Sequence, residues 1–223
     1  RKGKVPSWRK YMKDLGNVFI LGDSYSTYAG YIPEGYECWY PSSCVPEHNM
    51  DTHEKTWWWR LLSCVNANLL RNDAWSGSTI CNTGYDGADF THESYLTRAK
   101  TLLKAGKYNG ENVDTVFVFG GTNDSWAGAP VGDCKFDGWT KEDEFSFAPA
   151  VCELFDHLKR ELPETRIVCI VNTDLSDAVR ESMLTACDHY GIETVVLKDV
   201  DKVNGHPSAT GMQQIAEQVA RIF

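Results

Sequence analysis

Short apolar runs recur along the chain and predict a series of buried strands. Four of them occupy residues 18–21, 113–119, 167–171 and 194–197. Predominantly apolar runs of this length are typical of strands that are covered on both faces of a parallel sheet. A weaker run at residues 65–71 predicts one further strand between the first two.

Segments with helical periodicity separate these runs. Apolar residues fall on one stripe of a predicted helix over residues 147–162. A second helix is predicted over residues 176–190, with Ser176 as N-cap and Gly191 as its stop, and a third follows Ser208. Strands that alternate with helices predict an α/β fold, built as a three-layer sandwich with helices on both faces of the sheet.

A long connection interrupts this order after the first strand. About 30 residues separate that strand from a predicted helix that contains residues 57–59, whereas loops usually have about five. Its aromatic-rich part, residues 25–53, is called the aromatic insertion below, and it carries Tyr25, Tyr28, Tyr31, Tyr36, Trp39 and Tyr40. These rings suit the wall of a sugar or aromatic site, or they pack over the sheet as a loop with its own core.

Composition and charge narrow the class of ligand. Apolar residues make up 42% and charged residues 24% of the 223 positions, as in an ordinary globular domain. The net charge of -9 would repel a phosphate backbone, so we expect no nucleic-acid partner. Apolar runs stay far below the roughly 20 residues that span a bilayer, so we expect no membrane span. The sequence leaves the oligomeric state open.

Eight cysteines favour an oxidising compartment. Cys38 and Cys44 lie close together in a turn-rich segment that allows a small disulfide loop, and Cys81 with Cys134 is a second candidate pair. The chain starts without an initiator Met or an apolar signal core. We therefore expect a secreted or periplasmic protein whose signal peptide has been removed.

Polar residues gather where the predicted strands end. In open parallel sheets the carboxyl ends of the strands face the ligand crevice. Four short motifs stand there or close by, namely Gly22-Asp23-Ser24, Ser76-Gly77-Ser78, Gly120-Gly121-Thr122-Asn123-Asp124 and Gly205-His206-Pro207. A serine at a strand end becomes a nucleophile only when a base takes its proton, and a late histidine can approach it in space.

These motifs, in this order, resemble those of the SGNH hydrolases, also called the GDSL-like lipase and acylhydrolase family. Ser24 matches the family nucleophile, Gly77 the glycine of the second block, Asn123 the asparagine of the third and His206 the histidine of the last. The match covers almost all of residues 1–223, as one domain. It implies a flavodoxin-like sandwich with a five-stranded parallel sheet, and hydrolysis of esters without a metal or cofactor.

The resemblance assigns a role to each matched residue. Ser24 Oγ would attack the ester carbonyl, while His206 accepts its proton and later donates it to the leaving alcohol. The backbone N–H groups of Ser24 and Gly77 and the side-chain amide of Asn123 would form the oxyanion hole. Gly77 suits this role because it has no Cβ to obstruct the substrate.

The acidic partner departs from the family pattern. The family usually places Asp three residues before the catalytic His, and Val203 stands at that position. Asp201 is our candidate for the acid that orients His206, with Asp199 as an alternative. A backbone carbonyl is the third possibility and would leave a Ser-His dyad.

Residues beside these motifs are candidates for the substrate site. We assign Asp23, Tyr25 and Trp126 to substrate binding because they flank Ser24 and Asn123. Cys38, Cys44, His48 and His53 lie close together, but their spacing fits no common zinc site, so we expect no metal. We predict a serine ester hydrolase that acts on a small-molecule or glycan ester, and we expect it to deacetylate carbohydrate. The alternatives are a lipid or broad-specificity esterase and a non-catalytic carbohydrate-binding protein.

Overall fold

The computed structural model describes residues 14–41 and 45–223. Nine strands lie in these ranges, in chain order β1 Gly16–Gly22, β2 Ala67–Ala74, β3 Lys107–Tyr108, β4 Glu111–Asn112, β5 Thr115–Gly120, β6 Arg166–Val171, β7 Glu193–Val196, β8 Lys202–Val203 and β9 His206–Pro207. Five of them form one sheet in the order β2-β1-β5-β6-β7, and all neighbours in it are parallel. The predicted five-stranded parallel sheet is confirmed.

Six α-helices connect the strands: α1 Trp57–Leu62, α2 Tyr95–Leu102, α3 Thr122–Ala127, α4 Phe147–Glu161, α5 Asp177–Tyr190 and α6 Ala209–Ala220. Serine side chains cap three of them. Ser94 Oγ accepts from the N–H of Thr97, Ser176 Oγ from that of Val179, and Ser208 Oγ from those of Thr210 and Gly211. The three predicted helices are found where the sequence placed them.

Alternate residues of β5 face opposite sides of the sheet. Val116 and Val118 pack in a core with α2, α4 and α5, whereas Phe117 and Phe119 pack in a second core with α1 and α6. This alternation follows from the two-residue period of a strand. It places one helical layer on each face and gives the predicted three-layer α/β sandwich.

Much of the aromatic insertion belongs to the second core. Tyr25, Tyr28 and Tyr40 are buried there beside Trp57 and Trp58. Both indole N–H groups donate to Ser26, that of Trp57 to the hydroxyl at 3.0 Å and that of Trp58 to the carbonyl at 2.9 Å. For these rings the packing interpretation is the correct one.

The cysteine pairing predicted for Cys81 and Cys134 is wrong. Both thiols are free, and they donate to the carbonyls of Thr83 and Ser182 respectively. Cys44 lies outside the described residues, and so does its predicted pairing with Cys38.

The described ranges contain no group of three or more His, Cys, Asp or Glu side chains that could hold a metal ion. The helices of the same ranges are too short or too polar to cross a membrane.

Candidate active site

Ser24 and His206 meet at the carboxyl edge of the sheet. Ser24 follows β1, His206 opens β9, and Ser24 Oγ lies 3.0 Å from His206 Nε2 although 182 residues separate them in the chain. The two residues are only 3% and 7% exposed. The structure therefore brings the predicted nucleophile and base within hydrogen-bond distance in a recess shielded from water.

The turn after β1 presents the Ser24 hydroxyl. A Cβ at Gly22 would lie 2.7 Å from Ser26 Cβ, so only glycine allows the chain to fold back this tightly. The N–H of Ser26 donates to the Asp23 carbonyl at 2.9 Å, and the Thr27 hydroxyl donates to the Ser24 carbonyl at 3.0 Å. These bonds fix the backbone on both sides of the nucleophile.

His206 stands on a two-residue hairpin formed by β8 and β9. Asn204 and Gly205 connect the strands with φ of 48° and 77°, the backbone that a type I′ turn requires. The turn places the Asn204 carbonyl oxygen 3.2 Å from His206 Nδ1. A carbonyl can only accept, so Nδ1 carries the proton and Nε2 is left as the acceptor facing Ser24.

The predicted contact between Asp201 and His206 is not formed. The Asp201 carboxylate accepts the hydroxyl proton of Ser208, and its backbone N–H donates to Gln214 Oε1 at 2.7 Å, so Asp201 anchors the start of α6. Within the described residues, the partner of His206 Nδ1 is the Asn204 carbonyl rather than Asp201 or Asp199. The geometry is that of a Ser-His dyad oriented by a backbone carbonyl.

Aromatic rings surround the imidazole of His206. Trp39 stacks on it with centroids 3.8 Å apart and planes 10° apart, and Trp126 meets it edge-on at 5.6 Å. Burial, together with the nearby His48 and Lys202, lowers the pKa of His206 to about 4, although the hydrogen bond to the Asn204 carbonyl opposes this shift. His206 is therefore neutral, and able to accept a proton, at neutral pH.

Gly77 and Asn123, two of the three predicted oxyanion donors beside the Ser24 N–H, lie after the carboxyl end of β2 and in α3. Gly77 has φ of 87°, and the space where its Cβ would stand is open, so a substrate can approach its backbone. Asn123 lies in α3, where one amide proton bonds to the Ser78 carbonyl at 2.9 Å. Its Oδ1 accepts the hydroxyl proton of Tyr85 at 2.7 Å. These two bonds fix the amide with its nitrogen toward the Ser78 loop, and the second amide proton can serve an oxyanion.

Comparisons with known proteins identify the family of the chain. A model of the GDSL-like lipase/acylhydrolase family matches residues 16–223. The chain belongs to this family.

Two solved structures of GDSL-like lipases resemble it over almost their full length. One, from Bacteroides uniformis, is 46% identical with a TM-score of 0.85, and the alignment covers 92% of this chain and 94% of that one. The other, from Bacteroides ovatus, is 41% identical with a TM-score of 0.85 and coverages of 94% and 98%. A family two carbohydrate esterase from Clostridium thermocellum, in complex with cellohexaose, shares the fold at 18% identity, with a TM-score of 0.57 and coverages of 94% and 64%. None of the curated proteins matches the chain.

Two buried charged residues hold the site of this GDSL-like lipase/acylhydrolase together, and sequence reasoning missed both roles. The Arg98 guanidinium donates to the Asp73 carboxylate at 2.6 Å, to the Gly22 carbonyl at 3.4 Å and to Ser78 Oγ at 3.1 Å. The Asp124 carboxylate accepts the N–H groups of residues 80 and 81. Arg98 thus joins the ends of β1 and β2, and Asp124 joins the loop after Gly77 to α3.

Tyr85 is a third residue that the sequence did not reveal. It lies in a short 3-10 turn, Tyr85–Gly87, with no motif around it, and it is 36% exposed. Its contact with Asn123 spans 38 residues. Sequence offers no signal for it, because an isolated tyrosine in a turn is ordinary.

The three residues assigned to substrate binding in this GDSL-like chain have different environments. Asp23 and Tyr25 are buried, and the Tyr25 N–H donates to Asp23 Oδ1 at 3.0 Å. Burial raises the pKa of Asp23 to about 7. Trp126 is 40% exposed, and its ring packs on Gly205, where a Cβ would lie 3.1 Å away. The first two residues are part of the scaffold, and Trp126 alone of the three presents a surface to a ligand.

Proposed function

We propose that this chain is a serine esterase that removes acetyl or similarly small acyl groups from carbohydrate. The observation that carries the proposal is the 3.0 Å contact between Ser24 Oγ and His206 Nε2, with Nδ1 bonded to a backbone carbonyl. That pairing leaves His206 with a single acceptor nitrogen, and the acceptor faces a serine hydroxyl. Membership of the GDSL-like family supports hydrolase chemistry at this pair.

The reaction follows from the positions of these atoms. Ser24 Oγ attacks the ester carbonyl carbon while Nε2 of His206 takes its proton. The carbonyl oxygen becomes an oxyanion beside Gly77 and the free amide proton of Asn123. When the tetrahedral intermediate collapses, His206 donates the proton to the leaving alcohol. Water then repeats the sequence on the acyl-Ser24 intermediate, and the acid is released.

The burial of the site favours a small acyl group. Ser24, Asn123 and His206 are each at most 7% exposed, so neighbouring side chains cover most of the surface around the reacting atoms. Trp126 and Tyr85 contact His206 and Asn123 respectively, and both rings are more than a third exposed. Exposed rings beside covered reacting groups suit a polar alcohol with flat apolar faces, such as a sugar.

The distant relative from Clostridium thermocellum was solved with cellohexaose, which is consistent with this substrate class. Its identity of 18% limits the likeness to the fold. Trp126 and Tyr85 are therefore the features of this chain that support a sugar substrate.

Turnover of defined esters tests the proposal. Purified protein is assayed with p-nitrophenyl esters of two to eight carbons and with acetylated xylo-oligosaccharides, beside Ser24→Ala and the control Ser182→Ala on α5. We expect acetyl esters to be hydrolysed fastest, no turnover by Ser24→Ala, and wild-type rates for the control. A fluorophosphonate probe should label the wild type and not Ser24→Ala.

The alternatives predict different results. A lipid esterase would prefer the eight-carbon ester. A carbohydrate-binding protein would bind xylo-oligosaccharides, by calorimetry, without turnover or labelling. Either outcome would overturn the proposed activity.

A further inference from the structure

The aromatic insertion forms hydrogen bonds with the hairpin that carries His206. Three of its side chains donate hydrogen bonds to alternate carbonyls of that hairpin: His48 Nε2 to Val203 at 2.8 Å, the Tyr25 hydroxyl to Gly205 at 2.5 Å and the Tyr40 hydroxyl to Pro207 at 2.6 Å. The sequence separations are 155, 180 and 167 residues. Because these bonds join residues far apart in the chain, they do not form the hairpin itself, but they fix its position relative to the aromatic insertion.

The donors of these bonds are buried. Tyr25, Tyr40 and His48 are at most 1% exposed, and the bond from Tyr40 to Pro207 is buried at both ends. A buried donor that loses its acceptor is costly, which restricts where the hairpin can lie. The hairpin is thereby fixed along its whole length on the side facing the insertion.

The same segment also fixes the plane of the imidazole. The Trp39 ring covers one face of the His206 ring, with centroids 3.8 Å apart, and the backbone N–H of Trp39 donates to Thr27 Oγ1 at 3.0 Å. The Thr27 hydroxyl in turn donates to the Ser24 carbonyl at 3.0 Å. One continuous chain of contacts therefore connects the ring of the base with the backbone of the nucleophile.

His206 needs a further restraint because its Nδ1 is bonded to a carbonyl and not to a carboxylate. A triad aspartate orients its histidine through a short, charge-assisted bond. Here His206 Nδ1 has a neutral carbonyl at 3.2 Å, which is a weaker restraint. A displacement of about 1 Å between reacting groups costs about 10²-fold in rate, so another restraint has to hold the ring.

We propose that Tyr25, Tyr40 and His48 are positioning residues that align His206 with Ser24 in place of a triad carboxylate. The proposal rests on the proposed esterase activity for its kinetic consequences. Its structural content, that the insertion sets the orientation and tautomer of His206, can be measured without turnover. A merely structural insertion would contribute to stability and leave both the orientation of the ring and kcat unchanged.

The kinetic test uses tyrosine-to-phenylalanine changes, which remove one hydroxyl each. Tyr25→Phe, Tyr40→Phe and the double variant are compared with Tyr28→Phe, whose hydroxyl donates to the Met50 carbonyl at 3.4 Å in the same insertion but away from the hairpin. With p-nitrophenyl acetate we expect kcat to fall about tenfold in each single variant and about 10²-fold in the double variant, with KM within about twofold. Tyr28→Phe should keep the wild-type kcat.

Nuclear magnetic resonance provides the second readout. With ¹⁵N-labelled histidine, and His206→Gln to assign the signal, the wild type should show His206 protonated at Nδ1. In the double variant we expect a mixture of the two tautomers, whereas Tyr28→Phe should match the wild type. Melting temperatures of all variants separate these effects from a general loss of stability, and the single variants decide if the double variant does not fold.

The outcomes distinguish the two proposals. Wild-type kcat and an unchanged His206 tautomer in folded Tyr25→Phe and Tyr40→Phe would overturn the positioning role while leaving the esterase intact. A wild type that is inactive on every ester, with a tautomer that nevertheless shifts in these variants, would overturn the esterase and support the positioning role. A fall in kcat equal to that of Tyr28→Phe would also count against positioning.

Discussion

The substitution Val203→Asp would place a carboxylate beside His206. Val203 and His206 are directly opposite each other across the β8-β9 pair, so their side chains leave the same face of the hairpin. Opposite residues in an antiparallel pair have Cβ atoms about 4.5–5.5 Å apart. An aspartate in Val203→Asp can therefore reach Nδ1 of His206 in competition with the Asn204 carbonyl.

The size of the effect comes from two opposing contributions. A carboxylate about 4 Å from an imidazolium contributes about 4 kcal/mol at an effective dielectric constant of about 20. Desolvation of the new carboxylate in a half-buried position opposes this. We expect a net gain near 1.4 kcal/mol, which raises the pKa of His206 by about one unit and kcat/KM by about tenfold. The tautomer is already correct, so the gain stays far below the roughly 10⁴-fold effect of losing a triad aspartate.

The assay is the pH dependence of kcat/KM for p-nitrophenyl acetate between pH 3 and pH 9. Val203→Asn is the matched control, because it loses the same packing and introduces a polar side chain of the same shape without charge. We expect the acid limb to move up by about one pH unit in Val203→Asp only. Identical profiles for the two variants, or a slower Val203→Asp with an unmoved limb, would refute the reasoning that a carboxylate here can act on His206.

Three other predictions follow from the site. In the wild type the base is neutral His206, whose pKa of about 4 places the acid limb of kcat/KM near that pH. A limb near the ordinary histidine value would contradict the burial argument. Asn123→Ala should lower kcat by about 10²- to 10³-fold, because it removes the amide donor. Tyr85→Phe should lower kcat by about tenfold, because it only frees that amide to rotate. Equal losses of kcat in the two variants, or a change in KM alone, would disagree with these roles. Because burial raises the pKa of Asp23 from 3.8 to about 7, its protonated form stabilises the fold below pH 3.8, and this contribution is lost as the pH rises through 7. In urea unfolding, the wild type should therefore lose on the order of 3 kcal/mol relative to Asp23→Asn between pH 5 and pH 8, and parallel pH dependences would exclude such a shift.

The sheet could be predicted from sequence because its signal is local. The run at 18–21 lies inside β1, and that at 167–171 matches β6. The weak strand expected at 65–71 is β2, which begins later and extends to Ala74. Its last positions include Asp73, a charged residue that hydropathy assigns to a loop. The ion pair with buried Arg98 is what allows it to end a strand, and no local pattern reveals that pair.

Sequence spacing could not decide among Asp201, Asp199 and a backbone carbonyl as the partner of His206, for a related reason. The spacing in the sequence allowed Asp201 to contact His206. In the structure the Asp201 carboxylate instead accepts the hydroxyl proton of Ser208 at the start of α6. The Asn204-Gly205 pair is a recognisable hairpin signal. Reading it as a turn would have placed Val203 opposite His206 and the Asn204 carbonyl under the ring. The contacts that complete the site join residues more than 150 positions apart, and pattern reasoning does not reach them.

A neutral carbonyl at Nδ1 changes what the rest of the site must supply. As Ser24 attacks, positive charge develops on His206 and negative charge on the oxyanion. Among residues 14–41 and 45–223, the ring is bonded to a carbonyl and to no carboxylate that would offset the first charge. The two developing charges then stabilise each other across the substrate, more strongly in a dry recess than in water. That attraction depends on the separation of the two groups. The placement of the Asn123 amide by Tyr85 and of the imidazole by the aromatic insertion therefore matters more here than in a site with a full triad, since geometry has to provide what a third charge would otherwise contribute.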